Sequence, residues 1–342
     1  MKIVYIITSA DHYGGAQIHV RDLSHWMKNI GHDVTVIAGS KGRVSSVIEQ
    51  SSVPFLHVDA LRRSFSPLRD IMAFLEIRRI LKDIQPDIVS CHSSKAGFVG
   101  RLAAKSLGVK SIFTAHGWAF TDGVKTGKKV IYRCAERLSA LLGDHVIAVS
   151  HFDKALALLH RIAKPNAITV IHNGMLYRAC APRAQNKVPQ LCMVARFSEQ
   201  KDHSTLLNTL SDMQDKRWHL NLIGSGDDSF LRADAERRGL IDRVTFHGQR
   251  DDVPEFLETQ DIFLLISNWE GFPRSIIEAM RAGLPVITTR TAGIPEAVRP
   301  FQTGYIVPQA NPRTLKRAIN ILLLDPERRQ LMGANGRKDY EA

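Results

Sequence analysis

The sequence predicts an α/β chain of two doubly wound, Rossmann-like domains in tandem, and three observations carry that expectation. Its 342 residues exceed the roughly 100–200 that one domain commonly takes. Short β-branched runs alternate with longer amphipathic segments, the pattern of βαβ units around a parallel sheet. The alternation lapses only once, in a polar stretch with two prolines at 175–189, and then restarts. The expected domains are therefore 1–178 and 189–342, with a linker at 179–188.

Each element follows from the same reading. Strands of the first half are expected at 2–7, 33–38, 54–58, 87–91, 110–114, 145–149 and 168–171, with helices between them and the longest at 68–84. In the second half they are expected at 191–195, 219–223, 244–246, 262–266, 285–288 and 305–307, and 312–324 reads as a packed helix. Buried parallel strands give such nearly continuous apolar runs because helices cover both faces of the sheet. No short-period repeat or low-complexity tract interrupts the pattern.

Composition narrows the function classes. With 44% hydrophobic and 23% charged residues the chain is ordinary for a globular protein, and no run approaches the ~20 apolar residues of a spanning helix. Residues 1–8 hold one lysine and a short apolar run, which reads as a first strand and not as a signal peptide. Cys91, Cys134, Cys180 and Cys192 lack C-x-x-C spacing, so free thiols and a cytoplasmic location are expected. The net charge of +12 is uneven: residues 1–180 hold 24 Lys+Arg against 13 Asp+Glu, and residues 181–342 hold 22 against 21. A basic first half attracts polyanions, such as an anionic membrane face or a phosphorylated lipid. A nucleic-acid partner is not expected, because no recognition motif or aromatic-interleaved basic run is present.

In open α/β sheets ligands bind beyond the carboxyl ends of the strands. The unusual residues of this chain fall there. Gly14 and Gly15 follow the first strand and open a helix, which lets backbone N–H groups approach a phosphate; an ordinary tight turn would use the same residues. His116, in Thr114-Ala115-His116-Gly117, ends another strand, and a structural histidine is the plain alternative. His12, His151 and His172 lie near the same edge, so histidine alone does not identify a site.

In the second half Arg196 and Lys201 flank a strand end five residues apart, which suits a diphosphate if the loop folds both inward. Gly224-Ser225-Gly226 is a partial dinucleotide fingerprint with Ser229 at its third glycine position, so a nicotinamide site is poorly supported. The most specific segment is Glu270-Gly271-Phe272-Pro273 followed by Arg274-Ser275-Ile276-Ile277-Glu278. Pro273 suits the first turn of a helix whose N–H groups face an anion. Carboxylates beside an anion repel it, so sugar hydroxyls are the natural partners of Glu270 and Glu278.

With these residues in hand, the chain resembles the family 4 glycosyltransferases, whose two-Rossmann fold is called GT-B. The resemblance covers nearly the whole chain and rests on Gly14-Gly15, Thr114 to Gly117, Val149-Ser150, Ile171 to Gly174, Ala195 to Lys201, Gly224 to Gly226, and the pair Glu270 and Glu278. It implies a retaining transfer of a sugar from a nucleotide sugar, with UDP the expected carrier and the active site in a cleft between the domains. Arg196 and Lys201 would hold the diphosphate and stabilise the leaving charge, so no metal is expected, and the absence of an Asp-x-Asp pair agrees. Glu278 would bind the ribose, while Glu270 with the backbone of Gly271, Phe272 and Pro273 would hold the transferred sugar. The backbone at Arg274 and Ser275 would meet the phosphates. Gly14 and Gly15 would close over the diphosphate, Gly224 would line the donor site, and His116 would contact the sugar near the reacting carbon.

The nucleotide sugar is a substrate, so no cofactor is implied. The resemblance also implies a saccharide acceptor, lipid-linked or soluble, in bacterial surface polysaccharide synthesis, including lipopolysaccharide. Docking on the inner membrane face is expected from Arg62, Arg63, Arg69, Arg78, Arg79 and Lys82 around the 68–84 helix, and from Lys129, Arg133 and Arg137 at a spacing of four. Family members usually continue past 333–342 with a helix that crosses back onto the first domain, so a short or truncated tail is expected here. An inactive nucleotide-sugar-binding homologue and a sugar-nucleotide epimerase keep the same folds. All four charged residues of the donor site are present, which argues against the first; product analysis without acceptor separates the second.

Overall fold

The computed structural model describes residues 1–11, 13–121, 126–179 and 186–342. His12, Cys180 and most of the expected linker at 179–188 lie outside the described residues. The chain divides into two compact units, Met1–Asn173 and Gly174–Ala342.

The first unit runs β1 (Lys2–Ile7), α1 (Gly15–Asn29), β2 (Asp33–Ala38), α2 (Arg43–Gln50), β3 (Phe55–His57), α3 (Pro67–Ile84) and β4 (Ile88–His92). It continues through α4 (Ser94–Ser106), β5 (Lys110–Ala115), α5 (Thr126–Ala140), β6 (His145–Ala148), α6 (His151–Leu159) and β7 (Ile168–Val170). Its seven strands pair in parallel in the order β3-β2-β1-β4-β5-β6-β7. Strand β1 shows why the apolar runs are continuous. Ile3, Tyr5 and Ile7 enter one buried cluster with Val20, Val34 and Val36, whereas Val4 and Ile6 enter a second with Val89, Cys91 and Ala96. Successive side chains point to opposite faces, and here both faces are dry.

The second unit runs β8 (Gln190–Val194), α7 (His203–Ser211), β9 (His219–Ile223), α8 (Ser229–Arg237), β10 (Val244–Gly248), α9 (Val253–Glu258) and β11 (Ile262–Leu265). It ends with α10 (Arg274–Arg281), β12 (Val286–Thr289), α11 (Ile294–Ala297), β13 (Gly304–Val307), α12 (Pro312–Leu324) and α13 (Pro326–Glu341). Its six strands are parallel in the order β10-β9-β8-β11-β12-β13. Each unit thus reverses strand order once, at β1/β4 and at β8/β11, and those are the points where an α/β sheet leaves a crevice for a ligand.

Residues 174–178 group with the second unit, five positions earlier than the sequence pattern places the boundary. Side chains of that unit hold them: Arg274 Nη1 donates to the Gly174 carbonyl, Tyr340 Oη to that of Leu176 and Arg337 Nη2 to that of Arg178. Arg178 in turn pairs with Glu255 and Glu258. Among the described residues, Cys91, Cys134 and Cys192 are free thiols, and no helix is long and apolar enough to cross a membrane.

Candidate active site

The carboxyl edge of the second sheet gathers most of the residues that the sequence singles out. After β8 the chain passes exposed Arg196 and reaches Lys201, whose backbone bridges to Ser267 beyond β11. That bridge sets the Lys201 side chain against Glu270, and the two form an ion pair with side chains only 10% and 6% exposed. Gln200 braces the pair: its Nε2 donates to the Trp269 carbonyl at 2.9 Å and lies 3.4 Å from Glu270 Oε2. Arg196 reaches the same network through Gln200 Oε1 at 3.4 Å. The structure therefore joins Arg196, Gln200, Lys201 and Glu270 into one polar cluster.

Backbone contacts fix the loops that carry it. Asn268 N–H donates to the Gln200 carbonyl at 2.8 Å, and Asn268 Nδ2 to the Glu199 carbonyl at 2.8 Å. Asp202 N–H donates to the Ile266 carbonyl, and its carboxylate caps α7 by accepting from Thr205 N–H at 3.0 Å. Behind Lys201 lies His203, buried against Phe197 with Nδ1 3.0 Å from the Lys201 carbonyl. Burial pushes its protonation down to about 4, so it stays neutral there. Gly224 has a steric duty: a Cβ there would lie 1.9 Å from the Ala195 carbonyl oxygen, so only glycine lets the loops after β8 and β9 meet.

Helix α10 begins directly after this cluster. Pro273 is its N-cap, one position before the first turn in which the sequence places it; its extended φ of −72° suits the entry, and no side chain caps that end. Phe272, Pro273 and Arg274 are buried, Ser275 and Glu278 are half-buried, and Gly271 accepts a hydrogen bond from Gly293 N–H. No acidic residue occupies the first turn, so its partial positive charge is uncancelled within the helix.

In the first unit, Gly14 is the N-cap of α1 and Gly15 its first residue, again with no acidic residue in the first turn. His116 is half-buried at the end of β5, ahead of exposed Gly117, whose φ of 111° favours glycine. The loop is anchored below by Trp118, which stacks on Phe120 and donates from Nε1 to the Asp153 carbonyl at 2.9 Å.

Two residues at this edge escape the sequence reading. His92 ends β4 with no exposed surface, its Nδ1 3.0 Å from His116 Nε2 and its Nε2 3.1 Å from Ser90 Oγ. Burial above all, then the His116 and His19 charges, hold its protonation well below the ordinary histidine range. His19, on α1, places its ring 4.8 Å from that of His116. Neither is visible without the strand order, which sets β4 beside β1.

Comparison with known proteins identifies the family. A family model described as Glycosyltransferase Family 4 matches residues 13–175, and one described as Glycosyl transferases group 1 matches residues 181–339. The chain is 27% identical over 303 residues to the UDP-Gal:alpha-D-GlcNAc-diphosphoundecaprenol alpha-1,3-galactosyltransferase of Escherichia coli, covering 82% of this chain and 77% of that one. It is 30% identical over 263 residues to an uncharacterized 41.2 kDa protein in the cps region of Klebsiella pneumoniae, covering 72% and 71%. Among solved structures, Anabaena HepE in complex with UDP-glucose matches with a TM-score of 0.85 at 20% identity, over 100% of this chain and 94% of that one, a likeness of fold. With two family models spanning nearly its whole length and both sheets in Rossmann-like order, the chain belongs to the family 4 glycosyltransferases and is a glycosyltransferase of the GT-B fold.

Proposed function

We propose that this glycosyltransferase moves a sugar from a UDP-sugar, with retention of anomeric configuration, to a lipid-diphosphate-linked saccharide in bacterial surface polysaccharide synthesis. The observation that carries the reading is the Lys201–Glu270 pair beside the uncapped start of α10, at the carboxyl edge of the second sheet. A cation and a helix N-terminus suit a diphosphate, and a carboxylate suits sugar hydroxyls. The names of the Escherichia coli relative and of HepE support a UDP carrier, and the former a diphosphoundecaprenol acceptor.

In this reading Arg196 and Lys201 bind the diphosphate and stabilise charge on the departing phosphate oxygen. Glu278 binds the ribose, Glu270 and the backbone of Gly271 to Pro273 the sugar, and the backbone of Arg274 and Ser275 the phosphates. From the first unit, Gly14 and Gly15 serve the diphosphate and His116 the sugar. The bond from the anomeric carbon to the phosphate oxygen breaks while the acceptor oxygen bonds to that carbon on the same face. The acceptor proton passes to the departing phosphate. No side-chain nucleophile, cofactor or metal enters.

We place the enzyme in the cytoplasm, peripherally on the inner membrane face, held by the first unit. Helix α3 supports this. Leu68, Met72, Leu75, Arg79 and Lys82 form one exposed stripe, with Leu68 77% exposed, Ile71 beside it and Phe65, 84% exposed, just ahead of the helix. An exposed apolar stripe continued by cations suits an anionic interface. The second basic group is weaker: Lys129 and Arg133 are half-buried, and Arg137 Nε donates to the His160 carbonyl at 2.6 Å.

The test is transfer from a panel of UDP-sugars to a lipid-diphosphate saccharide and to its soluble counterpart, with EDTA present and products read by mass spectrometry and NMR. Retained configuration on the lipid-linked acceptor is expected. Transfer only to the soluble acceptor, inversion, or an absolute need for divalent metal would overturn the corresponding part.

A further inference from the structure

The first unit carries a cluster of three imidazoles, of which the proposed transfer uses His116 alone. His19 comes from α1, His92 from the end of β4 and His116 from the turn after β5, so three elements converge at the β1/β4 reversal. One ligand-capable nitrogen of each lies within 4.8 Å of the other two. Ring centroids are 4.8 Å apart for His19 and His116, 5.3 Å for His92 and His116, and 5.5 Å for His19 and His92.

Two features point to a cation. His92 is fully buried, and its Nε2 is already engaged by Ser90 Oγ at 3.1 Å, which turns Nδ1 into the cluster. Partners of this kind orient the ring and fix the tautomer of ligating histidines. Second, the His92 Nδ1 to His116 Nε2 separation of 3.0 Å is close to the roughly 3.3 Å that two imidazoles have around a tetrahedral ion with ~2.0–2.1 Å bonds. Half-buried His19 supplies the third nitrogen by a side-chain rotation.

We propose that His19, His92 and His116 bind a divalent transition ion, with Zn²⁺ the occupant, through three imidazole nitrogens and an open fourth position. Imidazole donors select this class, whereas Mg²⁺ and Ca²⁺ prefer oxygen. Besides the rotation of His19, binding needs a change of tautomer. The proton between His92 and His116 moves to the far nitrogen of its ring, where Ser90 Oγ accepts it if the ring is His92. The ion then takes His116 away from the sugar. On the proposed function it is therefore an inhibitor of transfer and not a cofactor.

The experiment titrates the metal-free full chain with Zn²⁺ by calorimetry and with Co²⁺ by visible absorption. One saturable site with a tetrahedral Co²⁺ spectrum is expected. His19→Gln and His92→Gln should each weaken it at least tenfold, and Ser90→Ala roughly 10–100-fold, as changes to an outer-shell partner do. His19→Gln is the variant whose fold is least at risk, because that side chain is only half-buried. No saturable site, or an affinity unchanged in both histidine variants, overturns the proposal. Turnover with and without Zn²⁺ is measured separately. A Zn²⁺ site with transfer unaffected keeps the metal proposal and removes His116 from the sugar.

Discussion

Lys201 and Glu270 neutralise each other in nearly buried positions, and that shapes what mutation of either will show. Removing one partner leaves a charge that is poorly hydrated, at a cost of about 3–5 kcal/mol for a buried pair. Lys201→Ala is therefore expected to lower the melting temperature as well as to remove transfer, and Lys201→Ala/Glu270→Gln to recover much of the stability but none of the transfer. Calorimetric melting beside a donor-saturated assay separates the two effects; substantial turnover in Lys201→Ala would withdraw that residue from the diphosphate. The two glutamates divide differently. Glu278→Gln should weaken binding of bare UDP, and Glu270→Gln should leave that affinity intact while lowering turnover, so equal affinities would refute the division. Glu270 and Glu278 were legible in the sequence because their motif is local. The pairing of Glu270 with Lys201 was not, since it depends on a bridge between two loops far apart in the chain.

At the scale of elements, the loops after β8 and β9 meet through Gly224, where no side chain fits. Gly224→Ala is expected to destabilise the second unit by about 2 kcal/mol or more, read as a lower melting temperature, because the clash is with backbone and cannot relax by rotamer change. Helix α3 makes a different prediction. Replacing Leu68, Met72 and Leu75 by Gln should weaken co-sedimentation with anionic vesicles and leave melting unchanged or improved, since these side chains are already exposed. Each nearby cation contributes about 1 kcal/mol before screening, so binding should also fall in high salt. Equal binding of the triple variant would remove α3 from the membrane account. Strands and the 312–324 helix were legible because parallel strands buried on both faces write continuous apolar runs, as in β1 and β11. The exposed stripe on α3 was harder to read, because its apolar residues look like core until packing shows Ala73, Ile77 and Leu81 facing inward. The sequence pattern places residues 174–178 in the first domain for a related reason: their partners Arg337 and Tyr340 stand near the far end of the chain.

At the scale of the molecule, burial of His203 makes stability fall toward acid. His203 protonates near pH 4 when folded, against about 6.5 when exposed, so the unfolded chain binds the extra proton between those values. Its contribution is present above pH 6.5 and is lost as pH falls toward 4, amounting to about 3 kcal/mol; melting curves of wild type and His203→Gln should converge over that window. Sheet order was the largest feature hidden from the sequence, because strand pairing is set by tertiary contacts, and with it went His19 and His92. That order has a kinetic side. Among the described residues every strand pair of the two sheets is parallel, so none can form as a hairpin, and the reversals join the most distant partners: Ile3 pairs with Ile88, and Leu191 with Ile262. Chain entropy makes such closures slow, whereas β4 to β7 pair with successive neighbours. Pulse-labelled amides that bond across β1/β4 and β8/β11 should therefore gain protection after those between β5 and β6. The crevices at which ligands bind are then the last parts of each sheet to close, and a refolding chain has no binding surface to be rescued by until its slowest step is over.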